Sequence, residues 1–200
     1  MNRLAGVPNP KLKIKEATAQ EICAVFELSS DARPHLDPKI APLPFLDLLE
    51  ANELYADALQ FLARALPKRE AVWWSATCAR ELGPDAKRPE LGAGLDAAEA
   101  WVYRPTEDNR RGAEKAAAAI KGSHPTKWTA MAAFWSGGSM APPDKPEVKP
   151  PEEFTGKAVA GAVMMAAALD PQQVTARNKK FIAAGRDIAA GGTGRALVKS

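Results

Sequence analysis

The sequence predicts an all-α protein of about eight helices stacked as antiparallel hairpins, and three observations carry that prediction. Alanine, the best helix former, makes up about a fifth of the 200 residues. Val, Ile and Thr, which favour strands, together supply little more than a tenth. Apolar residues recur three and four positions apart in segment after segment, which is the helical period. With 46% hydrophobic and 26% charged residues, the chain has the composition of a globular domain large enough to bury a core without disulfide or metal staples.

Each element has a local justification. Thr18 followed three residues later by Glu21 has the form of a capping box, opening a short helix through Ile22, Val25 and Phe26. Pro44 suits the first turn of a second helix, followed by Phe45, Leu46, Leu48 and Leu49. Leu54, Ala58, Leu62 and Leu66 form one stripe that ends at Pro67, and Lys68 to Leu82 continues as a helix stopped by Gly83-Pro84. Leu95 to Tyr103 reads as a helix broken at Pro105. Thr106 caps the next, with Glu107 and Asp108 at the positive end of its dipole and Ala113, Ala116, Ala117 and Ile120 as its core face.

From Pro125, the residues Trp128, Met131, Ala132 and Trp135 repeat that spacing, and Ser136-Gly137-Gly138-Ser139 ends the run. The proline-rich stretch 141–154 reads as an extended crossover. Lys157 to Leu169 is apolar on every side and is expected to be the central helix. Asp170-Pro171-Gln172-Gln173 should start a last helix running to about Ala190, with Val174, Phe181 and Ile188 on its stripe beside Asn178 and Gly185.

These signals divide the chain into a flexible N-terminal arm (1–16), one helical domain (17–190) and a mobile basic tail (191–200). Pro67 and Pro105 lie 38 residues apart, a period compatible with helical-repeat-like stacking, although Trp73 would then align with Arg111. The N-terminus lacks the apolar core of a secretory signal, and the longest apolar run, Ala158 to Leu169, is too short to span a bilayer. No membrane insertion and a cytoplasmic location are expected.

No motif assigns a chemistry. His35 and His124 stand in turns without a second ligand at metal spacing, so no zinc site is expected. Cys23 and Cys78 lie in apolar stretches and read as buried reduced thiols. Gly156-Lys157 and Gly192-Thr193-Gly194-Arg195 are fragments of phosphate-cradling loops without the full spacing or a preceding strand, and read as a cap and a tail. Hence no catalytic, cofactor or metal site is assigned, and no cofactor is expected.

The partner-binding candidates are Trp73, Trp74, Trp135, Lys179, Lys180 and Arg186. Adjacent Trp73 and Trp74 point about 100° apart on a helix, so one can pack inside with its neighbour near the rim, although core burial of both between layers of helices is the favoured outcome. The C-terminal cations contrast with the acidic early region of Asp37, Asp47, Glu50, Glu53 and Asp57. That asymmetry suits an acidic partner, or two copies facing each other in a homo-oligomer, beside the favoured reading of a solvated helix face. A net charge of only +3 and the scarcity of aromatics among those cations argue against nucleic acid.

Read together, Ala65 to Trp74, Ala97 to Val102, Asn109-Arg110-Arg111 and Ala133 to Ser139 resemble an uncharacterised family of bacterial helical proteins found in type VI secretion gene neighbourhoods. The resemblance covers about residues 40 to 190. Some members carry the label of twin-arginine pathway signal proteins, which this chain does not fit, because Arg110-Arg111 is internal and no apolar segment follows it. The resemblance implies a bacterial accessory protein near the secretion spike or its effectors, such as an adaptor or chaperone. The missing chemistry and the adjacent tryptophans make the expectation a non-catalytic one that binds a secreted effector or spike component. An enzyme or small-ligand binder with an interhelical pocket, and a structural subunit of an oligomer, are the alternatives.

Overall fold

The computed structural model describes residues 12–195. Among them lie nine α-helices and no strand: α1 (Ala19–Cys23), α2 (Pro42–Ala51), α3 (Tyr55–Ala65), α4 (Lys68–Arg80), α5 (Pro89–Tyr103), α6 (Glu107–Ala119), α7 (Pro125–Phe134), α8 (Phe154–Ala168) and α9 (Val174–Ala189). The fold is all-α, as the composition predicts. None of these helices is long and apolar enough to cross a membrane.

The caps read from sequence are in place. The backbone N–H of Glu21 donates to Thr18 Oγ1 at 3.4 Å while the Glu21 carboxylate accepts from the Thr18 N–H. Thr106 accepts from the Asn109 N–H at 3.3 Å. Two starts differ. Helix α5 begins at Pro89, ahead of Leu95, although Gly92 and Gly94 weaken that turn. Packing overrides propensity at Gly94, where a Cβ would lie 2.7 Å from Thr126 Cγ2 and 2.9 Å from Ile120 Cδ1. Helix α9 starts at Val174 because Asp170 instead closes a turn, its Oδ1 accepting from the Gln172 N–H at 3.0 Å.

Helices α4 to α8 pack in sequence order on their neighbours, but α8 also lies against α3, α4 and α9, and α4 against α7 and α9. A solenoid would confine contacts to adjacent units, so the 38-residue spacing produces no repeat. The break at Pro67 likewise makes no tight hairpin, since α3 touches α8 and α9 more than it touches α4. Helix α8 is central as expected, with Ala158, Val159, Ala162, Val163, Ala166 and Ala167 buried.

Small residues permit the close crossings. On α7 the buried positions are Pro125, Thr126, Thr129, Ala130, Ala133 and Phe134 together with Ala132 of the expected stripe, and the Thr129 and Ser75 hydroxyls bond at 2.6 Å. Trp128, Met131 and Trp135 are displaced to the rim, because indoles do not fit so close an approach. Gly185 of α9 meets α4 in the same way: a Cβ there would lie 3.0 Å from Leu62 Cδ1 and 3.2 Å from the Trp74 ring.

At both ends of the domain, described residues of the expected arm and tail contact the helical body. The expected arm docks at Lys13 and Ile14, where the Lys13 N–H donates to Ala189 O at 2.8 Å and Ile14 is buried. The remainder of that arm, 1–11, lies outside the described residues. The expected tail is anchored as far as Arg195. Gly191 turns the chain at φ +96°, the Gly194 N–H donates to Asp187 Oδ2 at 2.7 Å, and Trp73 Nε1 donates to Thr193 O at 2.8 Å. Residues 196–200 lie outside the described residues.

Thermal unfolding of two variants tests this packing. Ala117→Asp, at a position with no exposure, should cost roughly 3 kcal/mol or more by burying an unpaired charge. Gly185→Ala should cost about 1–3 kcal/mol by overpacking. A melting temperature unchanged in either would show that the corresponding face is wrongly placed.

Candidate functional site

A groove of about 740 Å³ opens where α1, the last turn of α3 and the first turns of α4 and α8 meet. The break at Pro67 creates it, because α3 ends and α4 begins at one edge while the crossover delivers α8 to the other. Val25, 56% exposed, and Ile22 supply its apolar edge with Ala63, Ala65 and Leu66. Four cations (Lys15, Arg64, Lys68, Lys157) face four carboxylates (Glu16, Glu21, Glu152, Glu153), so its charge is balanced. Lys68 pairs with Glu152 at 2.9 Å and Lys157 with Glu153 at 3.5 Å.

Arg64 differs from the other three. Its guanidinium stacks on Phe26, 4.5 Å from the ring centroid, and Nη1 donates to Gln60 O at 2.9 Å. Nε has no acceptor, and Arg64 makes no ion pair among the described residues. Burial pulls its pKa below the ordinary arginine value. Gly156 lies over the stem, where a Cβ would come within 3.0 Å of Arg64 Cγ. Thr155, 1% exposed, lines the same groove, and its hydroxyl also lacks a partner. Sequence alone singles out neither residue. Arg64 sits in a helix marked by its apolar stripe, and Gly156-Lys157 reads only as a cap.

The residues singled out from sequence do not form one site. Trp74, 0% exposed, is a core residue whose Nε1 donates to Phe181 O at 2.8 Å, so it presents no surface to a partner. Trp73 is half-buried, in edge contact with Tyr103 and covered by Arg195, whose guanidinium carbon lies 4.3 Å from the ring centroid. Trp135 packs between Trp128 and Phe154 at the α7–α8 rim. Lys180 pairs with Glu81 at 3.1 Å, Lys179 lies 5.9 Å from the Tyr55 ring centroid, and Arg186 bonds Asp47 at 2.6 Å and Glu50 at 2.7 Å. The acidic and basic regions thus meet within one chain at Arg186. Asp57 turns inward, accepting from the Ser29 N–H at 2.9 Å and hydroxyl at 2.8 Å.

A second cluster, among the residues that carry the resemblance, is structural. Arg110, 3% exposed, donates to both Glu107 oxygens at 2.6 Å, to Phe134 O at 2.7 Å and to Ser139 O at 2.8 Å. Arg111 reaches Ala141 O, and Asn109 Nδ2 donates to Arg104 O at 2.7 Å. A model of a family of unknown function, DUF6931, matches residues 45–189, nearly three quarters of the chain. The chain belongs to DUF6931. No curated protein and no solved structure matches it. The DUF6931 region supplies the α3, α4 and α8 walls of the groove, while the α1 wall and Lys15 lie ahead of it.

Within the DUF6931 region, a smaller groove of about 420 Å³ contains His124, Arg80, Asp85, Asp170 and Arg177. His124 caps α7, its Nδ1 accepting from the Thr126 N–H at 3.2 Å. Burial, then the Arg88 charge, lower its pKa from 6.5. The thiols are inert: burial, then the Asp57 carboxylate, push Cys23 up to about 12, and burial raises Cys78 well above its ordinary value. No group of three or more potential metal ligands occurs among the described residues.

The cap needs Nδ1 unprotonated, and a folded pKa below the unfolded value means that the folded state binds fewer protons. The His124 contribution is therefore complete above pH 6.5 and is lost as pH falls from there toward the folded pKa. Melting temperatures of the native protein and His124→Asn, which caps without titrating, should diverge only below that pH. Parallel curves down to pH 5 would refute the cap assignment.

Proposed function

We propose that this protein is a non-catalytic adaptor or chaperone of the bacterial cytoplasm, accessory to type VI secretion, that holds a polypeptide segment of an effector or spike component in the groove between α1, α3, α4 and α8. The observation that carries the binding reading is the groove's lining: balanced charge, an exposed apolar edge and two polar atoms left without partners. A buried unsatisfied polar group costs about 1–3 kcal/mol, and a bound segment would relieve that cost. A peptide suits such a lining because its backbone brings donors and acceptors together. The α3 end offers carbonyl oxygens, and the α4 and α8 starts offer N–H groups. The secretion context rests on the sequence resemblance.

Non-catalytic action is supported by the state of the nucleophiles and bases. Both thiols are held protonated, and His124 is committed to a helix cap. The interior between helices is filled by alanine, leucine, isoleucine, valine and aromatic side chains.

Placing the photo-cross-linker p-benzoylphenylalanine at Val25 in cells that carry the gene tests this reading. Val25 lines the groove, whereas Val148, also exposed, lies on the crossover away from it. A discrete cross-linked polypeptide from Val25 and not from Val148, identified by mass spectrometry as a secretion-system component, is expected. No adduct from Val25, or the same products from both positions, would overturn the groove as the binding surface.

A further inference from the structure

Resting on the groove reading above, we infer that the bound polypeptide is gripped by its free C-terminal carboxylate, paired with Arg64 where the N-termini of α4 and α8 converge. Three observations point to one anion at this spot. Two groove cations, Lys15 and Arg64, make no ion pair among the described residues; Lys15 is exposed, whereas Arg64 is half-buried and its Nε has no acceptor. Charged groups withdrawn from water are ordinarily paired, and guanidinium favours carboxylate as its partner.

The helix ends add to this. Helices α4 and α8, of 13 and 15 residues, both begin at the groove, with Pro67 and Glu153 at their N-cap positions and no side chain capping either. Their first N–H groups and dipoles favour a negative group there. Independently, the Thr155 hydroxyl lies at the start of α8 in a residue 1% exposed, lines the groove and has no partner. A carboxylate at Arg64 would give that hydroxyl an acceptor.

The rim argues for a chain end over an acidic run. Glu16, Glu21, Glu152 and Glu153 line the same groove, so a row of ligand carboxylates would meet repulsion along its length. A single terminal carboxylate on an otherwise neutral segment needs only one cation, and Arg64 is the half-buried one without an ion pair among the described residues.

Fluorescence anisotropy on the full-length protein tests the inference with three labelled probes: hexa-alanine with a free C-terminus, the same peptide as its C-terminal amide, and hexaglutamate amide. The free acid should bind at least about ten-fold more tightly than its amide, with hexaglutamate amide no better than hexa-alanine amide. Arg64→Gln should reduce the acid to the level of the amide, and Arg64→Lys should retain part of the difference. Thr155→Val keeps the shape and removes a hydroxyl unpartnered in the free protein. It should weaken the acid several-fold while leaving the melting temperature unchanged or higher. Equal binding of acid and amide would overturn the carboxylate inference and leave the groove reading standing. Tighter binding of hexaglutamate amide would overturn it in favour of acidic side chains. No binding of any probe at about 1 mM would overturn both readings.

Discussion

The buried guanidinium of Arg110 fixes the point at which the second half of the molecule begins. It joins the first turn of α6 to the end of α7 and to the loop that follows, and its face lies 4.7 Å from the Phe134 ring centroid. Gly138, at φ +65°, passes so close that a Cβ would lie 2.8 Å from Arg110 Nε. The guanidinium in turn holds the Glu107 carboxyl below the usual carboxylate range. Leaving such a charge without partners costs about 3–5 kcal/mol, which makes this join hard to rearrange. Three consecutive residues tie down three chain ends, with Asn109 closing α5, Arg110 closing α7, and Arg111 holding the start of the crossover. After the crossover, α8 starts with Phe154 against Trp135 at the end of α7, and its first turn forms one wall of the groove.

Most of the helices were legible because their signals are local. Capping boxes, prolines and the 3.6-residue period act over a single turn, and Thr18, Thr106 and Pro67 behave accordingly. What failed depended on distant partners. Helix α5 extends back through two glycines because Gly94 accommodates Thr126 and Ile120. Of the stripe expected on α7 only Ala132 is buried, while Trp128, Met131 and Trp135 are half-buried and Thr126, Thr129, Ala130, Ala133 and Phe134 face inward. The 38-residue interval between prolines reflects two similar breaks with different packing behind them.

The candidate site was the least legible part. Nothing in the segment Ala63-Arg64-Ala65-Leu66 distinguishes its arginine from the many that decorate helix surfaces. Its meaning comes from Phe26 and Gly156, remote in sequence, which together cover it. By contrast, the charge asymmetry that is prominent in the sequence is largely satisfied within the chain. Arg186 binds Asp47 and Glu50, and Lys180 binds Glu81, so much of the C-terminal charge is neutralised before any partner arrives. Tryptophan misled in a similar way, since its size makes it as useful for joining α4 to α9 as for meeting another protein.

The abundance of alanine along α6, α7, α8 and α9 affects more than how closely the backbones approach. An alanine has no rotamers to surrender when it becomes enclosed, whereas leucine or methionine gives up roughly 0.5–2 kcal/mol of side-chain freedom. Assembly of these helices therefore draws most of its entropic opposition from the main chain, and a large part of that is met within each helix as it forms. The same simplicity makes the interior unforgiving of growth, for a cage of methyl groups has no flexible arm to swing aside when an extra carbon arrives.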